Sequence, residues 1–189
     1  MRKLIFAINV TLDGFADHTA MIADSELHDF FTDLLGSTDI ILFGRTTYQL
    51  MEDFWPAADK DPGSTESMLR FAERINSMPK IVFSRTLKEV HWSNTRLIKE
   101  NMVEEVRNLQ QQPGRNLAIG SISLANTFMK LGLIDEYRLL VHPVILGKGK
   151  RLFEELDNRI NLKLADTKKF DSGVVVLHYL CSECREHEK

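Results

Sequence analysis

DIILFGRTTYQLM, residues Asp39 to Met51, is the stretch from which the fold can be read. DIILF is a compact apolar strand, Gly44 makes the turn, and TTYQLM resumes helical character toward Pro56. A strand that leaves its carboxyl end through a glycine into a helix is half of a βαβ unit. Arg45, Thr46 and Thr47 then have two readings: a turn whose arginine faces water, or a helix start that holds an anion.

The same pattern extends in both directions. KLIFAINVTL (Lys3–Leu12) fits a strand by its alternation and β-branched content. Leu27, Phe30, Phe31, Leu34 and Leu35 follow at helical spacing, with Asp24 or Ser25 as cap and Gly36 as stop. WPAADKDPGS (Trp55–Ser64) reads as a surface loop from its Pro, Gly and Asp content, and Met68, Phe71, Ala72 and Ile75 form the next helix face, ended by Pro79. KIVFS and TRLIK are strands. A helix from Asn101 turns Val103, Val106 and Leu109 inward and stops at QQQPG, with Glu104 three residues after Asn101 as a capping box. LAIG precedes a helix carrying Leu124, Phe128 and Leu131, closed by Gly132. EYRLLVHPVIL, NLKLADTKKF and GVVVLHYL then follow as strands without helices. Strands alternating with helices predict a mainly parallel sheet covered on both faces; the later strands predict an antiparallel C-terminal edge. The expectation is one three-layer α/β domain over residues 1–180 and a tail over 181–189.

At 189 residues such a domain removes roughly 70% of its extended-chain surface from water, so it needs no staples. A net charge of -3 excludes a basic field for nucleic acid or anionic membrane, which favours a small-molecule partner. No run approaches the roughly 18 apolar residues of a membrane span. The N-terminal apolar run alternates and contains Asn9, so it reads as a first strand rather than a signal peptide, and the expected location is cytoplasmic. Cys181 and Cys184, with His187 close behind, form a lone CxxC; a closed zinc site wants four ligands, so the tail is read as incidental and no metal is expected.

Three strand ends resemble one another: LFGRTT (Leu42–Thr47), VFSRT (Val82–Thr86) and AIGSIS (Ala118–Ser123). Ligands of open α/β sheets collect at carboxyl strand ends, and helix starts, hydroxyls and guanidinium forks together suit phosphate oxygens. Common phosphate and nucleophile motifs fail on spacing. Leu152 stands where GKGKRLF would need the third glycine of a dinucleotide fingerprint, no glycine precedes Gly149-Lys150 at the Walker position, and GSISL lacks the second glycine of a nucleophile elbow.

These residues resemble the dihydrofolate-reductase-like fold and, within it, the riboflavin-biosynthesis reductase (RibD C-terminal domain) family. TLDGFA is similar to that family's S-L-D-G segment, ILFGRTTYQLM to its G-R-x-T, and VFSRTL to the segment that reaches an adenosine 2'-phosphate. IGSISLANTFMKLGLIDEYRLLVHPVILGKGKRLF matches its G-G-x-x-L…L-I-D-E-L…P-V-x-L-G-x-G-x-x-L-F almost without a gap. The resemblance implies an NADPH-dependent reductase of a small pterin- or pyrimidine-like heterocycle, or a catalytically weak NADP-binding module of the same fold, and a homodimer through the C-terminal strands. By position, Gly44, Arg45, Thr46 and Thr47 would hold the pyrophosphate, Ser84 and Arg85 the 2'-phosphate, and Gly120, Ser121, Ile122 and Ser123 the pyrophosphate from the other side. Ser121 departs from the family's second glycine. The chain also lacks the H-x-E and P-C-x-x-C zinc motifs of the family's deaminase half.

On the substrate side, dihydrofolate reductases use one carboxylate on the first helix. Glu26 and Asp29 lie near that position, with Glu26 the candidate, although a carboxylate in a first turn also complements the helix dipole. Asp13 is either a proton-handling residue beside the nicotinamide or an Asp-Gly turn residue. Phe15, Phe54 and Trp55 are candidates to stack on a flat substrate, and His142 is read as a packed or hydrogen-bonded strand residue.

Overall fold

The structure is a computed structural model that describes every residue except Glu154, Glu155, Asp157, Asn158, Glu183 and residues 185–189. His187 and most of the 181–189 tail therefore lie outside the described residues. The chain forms two compact units, Met1–Arg2 with Ala23–Ser121, and Lys3–Ile22 with Ile122–Lys189.

The first unit contains α1 (Ser25–Gly36), β2 (Thr38–Gly44), α2 (Arg45–Glu52), α3 (Glu66–Ser77), β3 (Lys80–Phe83), β4 (Thr95–Ile98), α4 (Met102–Gln111) and β5 (Asn116–Ile119). Its strands lie in the order β4-β3-β2-β5 and every pairing is parallel. The apolar runs of β2 and β3 are buried: ILFG of β2, Ile41 to Gly44, and all of β3 lie inside the unit. Leu35, Ile41, Phe43, Tyr48, Phe71, Ile75, Val82 and Trp92 form the core.

Local signals account for the helices. The Asp24 carboxylate accepts the Leu27 N–H at 2.8 Å and starts α1, and the Thr65 hydroxyl does the same for α3 from Met68 at 3.3 Å. Asp29 of α1 pairs with Arg70 of α3 at 2.7 Å, and the Arg74 guanidinium donates to the Leu35 and Thr38 carbonyls. Lys80 is 1% exposed. Its ammonium donates to the carbonyls of Ile75 and Met78 at 2.8 Å each and lies 4.6 Å from the Trp92 ring centre, while burial pushes its pKa down to about 8. A buried amine is thus matched to the carbonyls that the end of α3 leaves unbonded.

The second unit contains β1 (Leu4–Thr11), α5 (Ile122–Lys130), β6 (Glu136–His142), β7 (Leu162–Lys169) and β8 (Val175–Cys181). Its order is β1-β6-β8-β7; β1 and β6 are parallel, and β6, β8 and β7 are antiparallel. The α/β class, with parallel strands and an antiparallel C-terminal edge, is the one read from the sequence. Glu136 is buried among Lys3 at 2.7 Å, His178 at 3.0 Å and Arg138 at 3.2 Å. Burial alone would raise its carboxyl pKa, but Lys3 and Arg138 hold it below the usual value.

Several local expectations change. WPAADK is a 3-10 segment rather than an open loop: Pro56 sits in its first turn, Ala58 is buried, and Trp55 packs edge-on to Phe71 at 4.5 Å. The capping box of α4 does not form. Asn101 adopts a left-handed conformation at φ 56° and makes no side-chain cap, while Glu105 pairs with Arg96. Leu131 is 44% exposed rather than inward. EYRLLVHPVIL ends as a strand at His142, because Pro143 has no N–H to continue the ladder. Cys181 closes β8, donates its N–H to Asp135 at 2.9 Å and is disulfide-bonded to Cys184, so the expected tail begins inside a strand.

Candidate functional site

Three neighbouring parallel strands of the first unit end in register. Gly44, the last residue of β2, is paired with Phe83, the last of β3, and Leu42 of β2 is paired with Ile119, the last of β5. Neighbouring strands are about 4.8 Å apart, so the three segments singled out in the sequence emerge side by side.

At the centre, Gly44 is the N-cap of α2 and offers no side-chain cap, so the first-turn N–H groups of α2 are left without a side-chain acceptor. Arg45 and Thr46 are exposed, Thr47 is half-buried, and Tyr48 alone in the helix is buried. The Tyr48 hydroxyl bonds Glu52 and accepts the N–H groups of His91 and Trp92 at 3.1 Å each. Burial, then Glu52, pushes that phenol up to about 12, so it stays a neutral strut. Tyr48 anchors α2 and leaves its amino end facing outward.

On the β3 side, the Ser84 hydroxyl oxygen accepts the N–H groups of Thr86 and Leu87 at 3.3 and 3.0 Å. Ser84 therefore shapes the turn, and Arg85 stands exposed at its tip. On the β5 side, the Gly120 N–H donates to the Leu42 carbonyl at 3.0 Å, and Ser121 is 3% exposed. Ile122 and Ser123 form the first turn of α5.

The arginines separate sharply. Arg2, Arg70, Arg74, Arg96 and Arg115 of this unit each hold a carbonyl or carboxylate. Arg45 and Arg85 make no hydrogen bond or ion pair among the described residues. Two guanidinium groups with no partner among the described residues, beside a helix start with no side-chain cap, form a donor set that fits a ligand carrying separated phosphates.

The substrate-side candidates are placed differently. Asp13, in the second unit, accepts the Thr11 hydroxyl at 2.6 Å, the Leu146 N–H at 3.1 Å and the Gly147 N–H at 2.7 Å. The Thr11 bond, followed by the two backbone bonds, holds its carboxyl down to about 2. Asp13 thus ties the TLDG turn to the ILGK segment far along the chain. Phe15 is in the same lobe, bridged to Arg151, 9% exposed, with the Arg151 guanidinium over its ring at 5.8 Å. In the first unit Glu26 is half-buried in the first turn of α1. Phe54 and Trp55 are half-buried and edge-to-face at 5.0 Å, and Trp55 is further occupied by Phe71 and His28. His142 is buried: its Nδ1 accepts the Ile22 N–H at 3.1 Å, which leaves Nε2–H for Asn9 Oδ1 at 3.0 Å.

Sequence reading missed two props of the strand-end site. Phe43 lies under Gly120, and the Tyr48–Glu52 pair fixes the segment before β4. Both depend on pairings between elements, so neither carries a local sequence signal.

The fold and the strand-end donors define an α/β domain of the dihydrofolate-reductase-like class. Residues 2–176 match the RibD C-terminal domain family, and the chain belongs to it. It is 40% identical over 182 residues to Bacillus subtilis YyaP, covering 94% of each chain. A Shewanella sp. PV-4 protein named for riboflavin biosynthesis superposes with a TM-score of 0.72 at 21% identity, covering 95% of this chain and 99% of that one. The Thermotoga maritima diaminohydroxyphosphoribosylaminopyrimidine deaminase/5-amino-6-(5-phosphoribosylamino)uracil reductase superposes at 0.65 and 17% identity, where this chain spans 56% of its length. No helix among the described residues is long and apolar enough to cross a membrane.

Proposed function

We propose that this chain is an NADPH-dependent reductase of a small heterocyclic substrate, pterin- or pyrimidine-like, acting in the cytoplasm as one reductase domain over residues 1–180. The observation that carries the reading is the unpaired state of Arg45 and Arg85 at adjacent strand ends, in a unit where the other arginines with described partners hold carbonyls or carboxylates. Family membership supports it, as does the reductase activity named for the Thermotoga protein.

Arg45 and the first-turn N–H groups of α2 would hold the pyrophosphate from one side, with Thr46 and Thr47 adding hydroxyl donors. Gly120, Ser121, Ile122 and Ser123 would hold it from the other. Arg85 would take the 2'-phosphate; the Ser84 oxygen is occupied as a turn acceptor, so only its O–H remains to donate there. When bound, NADPH supplies a hydride from its nicotinamide. Glu26 is the carboxylate proposed to meet the heterocycle, and Phe54 is the aromatic proposed to stack on it, since Trp55 is already packed against Phe71 and His28. A homodimer through the C-terminal strands is supported by β7, an edge strand whose eight residues are all exposed.

A second reading, a cofactor-binding module without turnover, is favoured by Asp13. Its carboxylate is ionised and committed to three donors, which removes it as a proton source. Titrating NADPH and NADH against the tryptophan fluorescence, followed by NADPH oxidation with a panel of pterins, pyrimidines and flavin precursors, separates the readings. Equal affinity for both cofactors overturns the phosphate assignment; preferential NADPH binding with no oxidation of any candidate selects the module.

A further inference from the structure

At the other end of β6, away from its carboxyl terminus, the second unit carries an open-sided hollow of about 420 Å³. Small-molecule sites are typically about 300 to 1,000 Å³, so the volume suits a compact ligand. Its walls are Met129 near the end of α5, Tyr137 near the start of β6, Leu162 at the start of β7, and Phe153, Arg159 and Ile160 from the segment between β6 and β7. Tyr137 and Leu162 place it at the amino end of β6, whereas cofactor sites of such sheets gather at carboxyl ends.

Two polar groups interrupt these apolar walls, and neither is satisfied among the described residues. The Tyr137 hydroxyl is buried and has no hydrogen-bond partner. Burial, with Asp135 adding to it, pushes its pKa up, so it remains a neutral donor at any ordinary pH. Arg159 is exposed and, like Arg45 and Arg85, makes no hydrogen bond or ion pair among the described residues. A buried phenol without an acceptor is uncommon, because a tyrosine hydroxyl inside a protein normally finds one. An apolar chamber with one idle cation and one idle hydroxyl is complementary to a single kind of small molecule: an apolar body ending in a carboxylate, which pairs with the guanidinium and offers acceptor oxygens.

We infer that this hollow is a binding site for a small apolar carboxylic acid, distinct from the strand-end site of the first unit. Arg159 engages the carboxylate at the mouth, Tyr137 accepts it as a hydrogen-bond partner for its hydroxyl, and Met129, Ile160 and Leu162 surround the hydrocarbon.

Calorimetric titration of the full chain with octanoate, and with octan-1-ol as the uncharged counterpart, tests this. Saturable octanoate binding is expected. Octanol should bind about tenfold more weakly, and Arg159→Gln should cost octanoate a similar factor, in line with loss of one charge-assisted contact. Tyr137→Phe, which keeps the ring, should weaken octanoate by roughly threefold to tenfold. Leu162→Trp should abolish it by filling the chamber, and NADPH titration of each variant should be unchanged. Octanoate binding that ignores Arg159→Gln and Leu162→Trp overturns the inference. So does absence of octanoate binding in a chain that sediments as a dimer which Leu162→Trp dissociates, since the occupant is then a second copy of the chain.

Discussion

The ring of Phe43 fills the space that a side chain at Gly120 would need: a Cβ there would lie 2.6 Å from Phe43 Cε1. Glycine at this strand end is required by the core beneath it, whatever approaches from above. Gly120→Ala is expected to cost about 1 to 3 kcal/mol, the usual range for overpacking a filled site. Phe43 stacks on Trp92 at 6.2 Å, so the shift should register in Trp92 emission during urea unfolding. Adding Phe43→Leu should recover part of the loss; no recovery would mean that the glycine is needed for another reason.

Arg45 and Arg85 hold nothing in the described structure, so removing them should leave the fold alone. Arg45→Ala and Arg85→Ala are expected to keep the wild-type melting temperature while weakening NADPH by about tenfold or more each. Arg85→Ala should spare NADH, which lacks the 2'-phosphate, and Arg45→Ala should weaken both. Paired fluorescence titrations check the pattern, and equal losses for the two cofactors in Arg85→Ala would reject its 2'-phosphate role.

Asp13 makes a prediction about acid. Its folded pKa, about 2, lies below the ordinary 3.8, so the unfolded chain binds the proton more readily. The stabilisation is therefore present above 3.8 and is lost as pH falls through about 2. Asp13→Asn should flatten the loss of unfolding free energy across that window. In any reductase assay, no rate limb near neutral pH should disappear in this variant; one that does would restore Asp13 as a proton donor.

His28 acts in the same direction at higher pH. Its ring is 8% exposed, its Nδ1 has no partner among the described residues, and Trp55 and Phe71 flank it. Burial lowers its pKa below 6.5, so just below that pH the unfolded chain takes up a proton that the folded chain refuses. Stability should therefore fall as pH drops beneath 6.5, and His28→Phe should remove that slope. Chemical unfolding at stepwise pH, followed by Trp55 emission, measures it; an unchanged slope in the variant would place the titration elsewhere.

Much of the framework was legible before any coordinates. DIILF, KIVF and LAIG are short, mainly apolar runs because most of their residues are buried in the sheet, and Asp24, Gly36 and Pro79 mark ends through local backbone chemistry. Less was legible where one segment's conformation depends on another. Trp55 turns WPAADK into a packed 3-10 segment because Phe71 is present to receive it. Asn101 gives up its cap in a left-handed turn, and Leu131 faces outward although its spacing predicts burial. Lys80 carries no local signal for its burial, which depends on the carbonyls that the end of α3 supplies.

The strand-end site divides in the same way. Gly44-Arg45, Ser84-Arg85 and Gly120-Ser121 were visible as similar punctuation after apolar strands, because a chain that must turn at a sheet edge uses small residues there. Their adjacency was not, since it follows from the parallel pairings Gly44↔Phe83 and Leu42↔Ile119. Nor was the contrast between occupied and unoccupied arginines, because ion pairing is decided by distances between residues far apart in sequence. The sequence by itself determined the α/β alternation and the segments that could meet a phosphate, since both arise from periodicity and local backbone preference. Only the tertiary structure decided that Asp13 holds a loop, that Gly120 yields to Phe43, and that Arg45, Arg85 and Arg159 have no partner among the described residues, because each depends on distances between residues far apart in sequence.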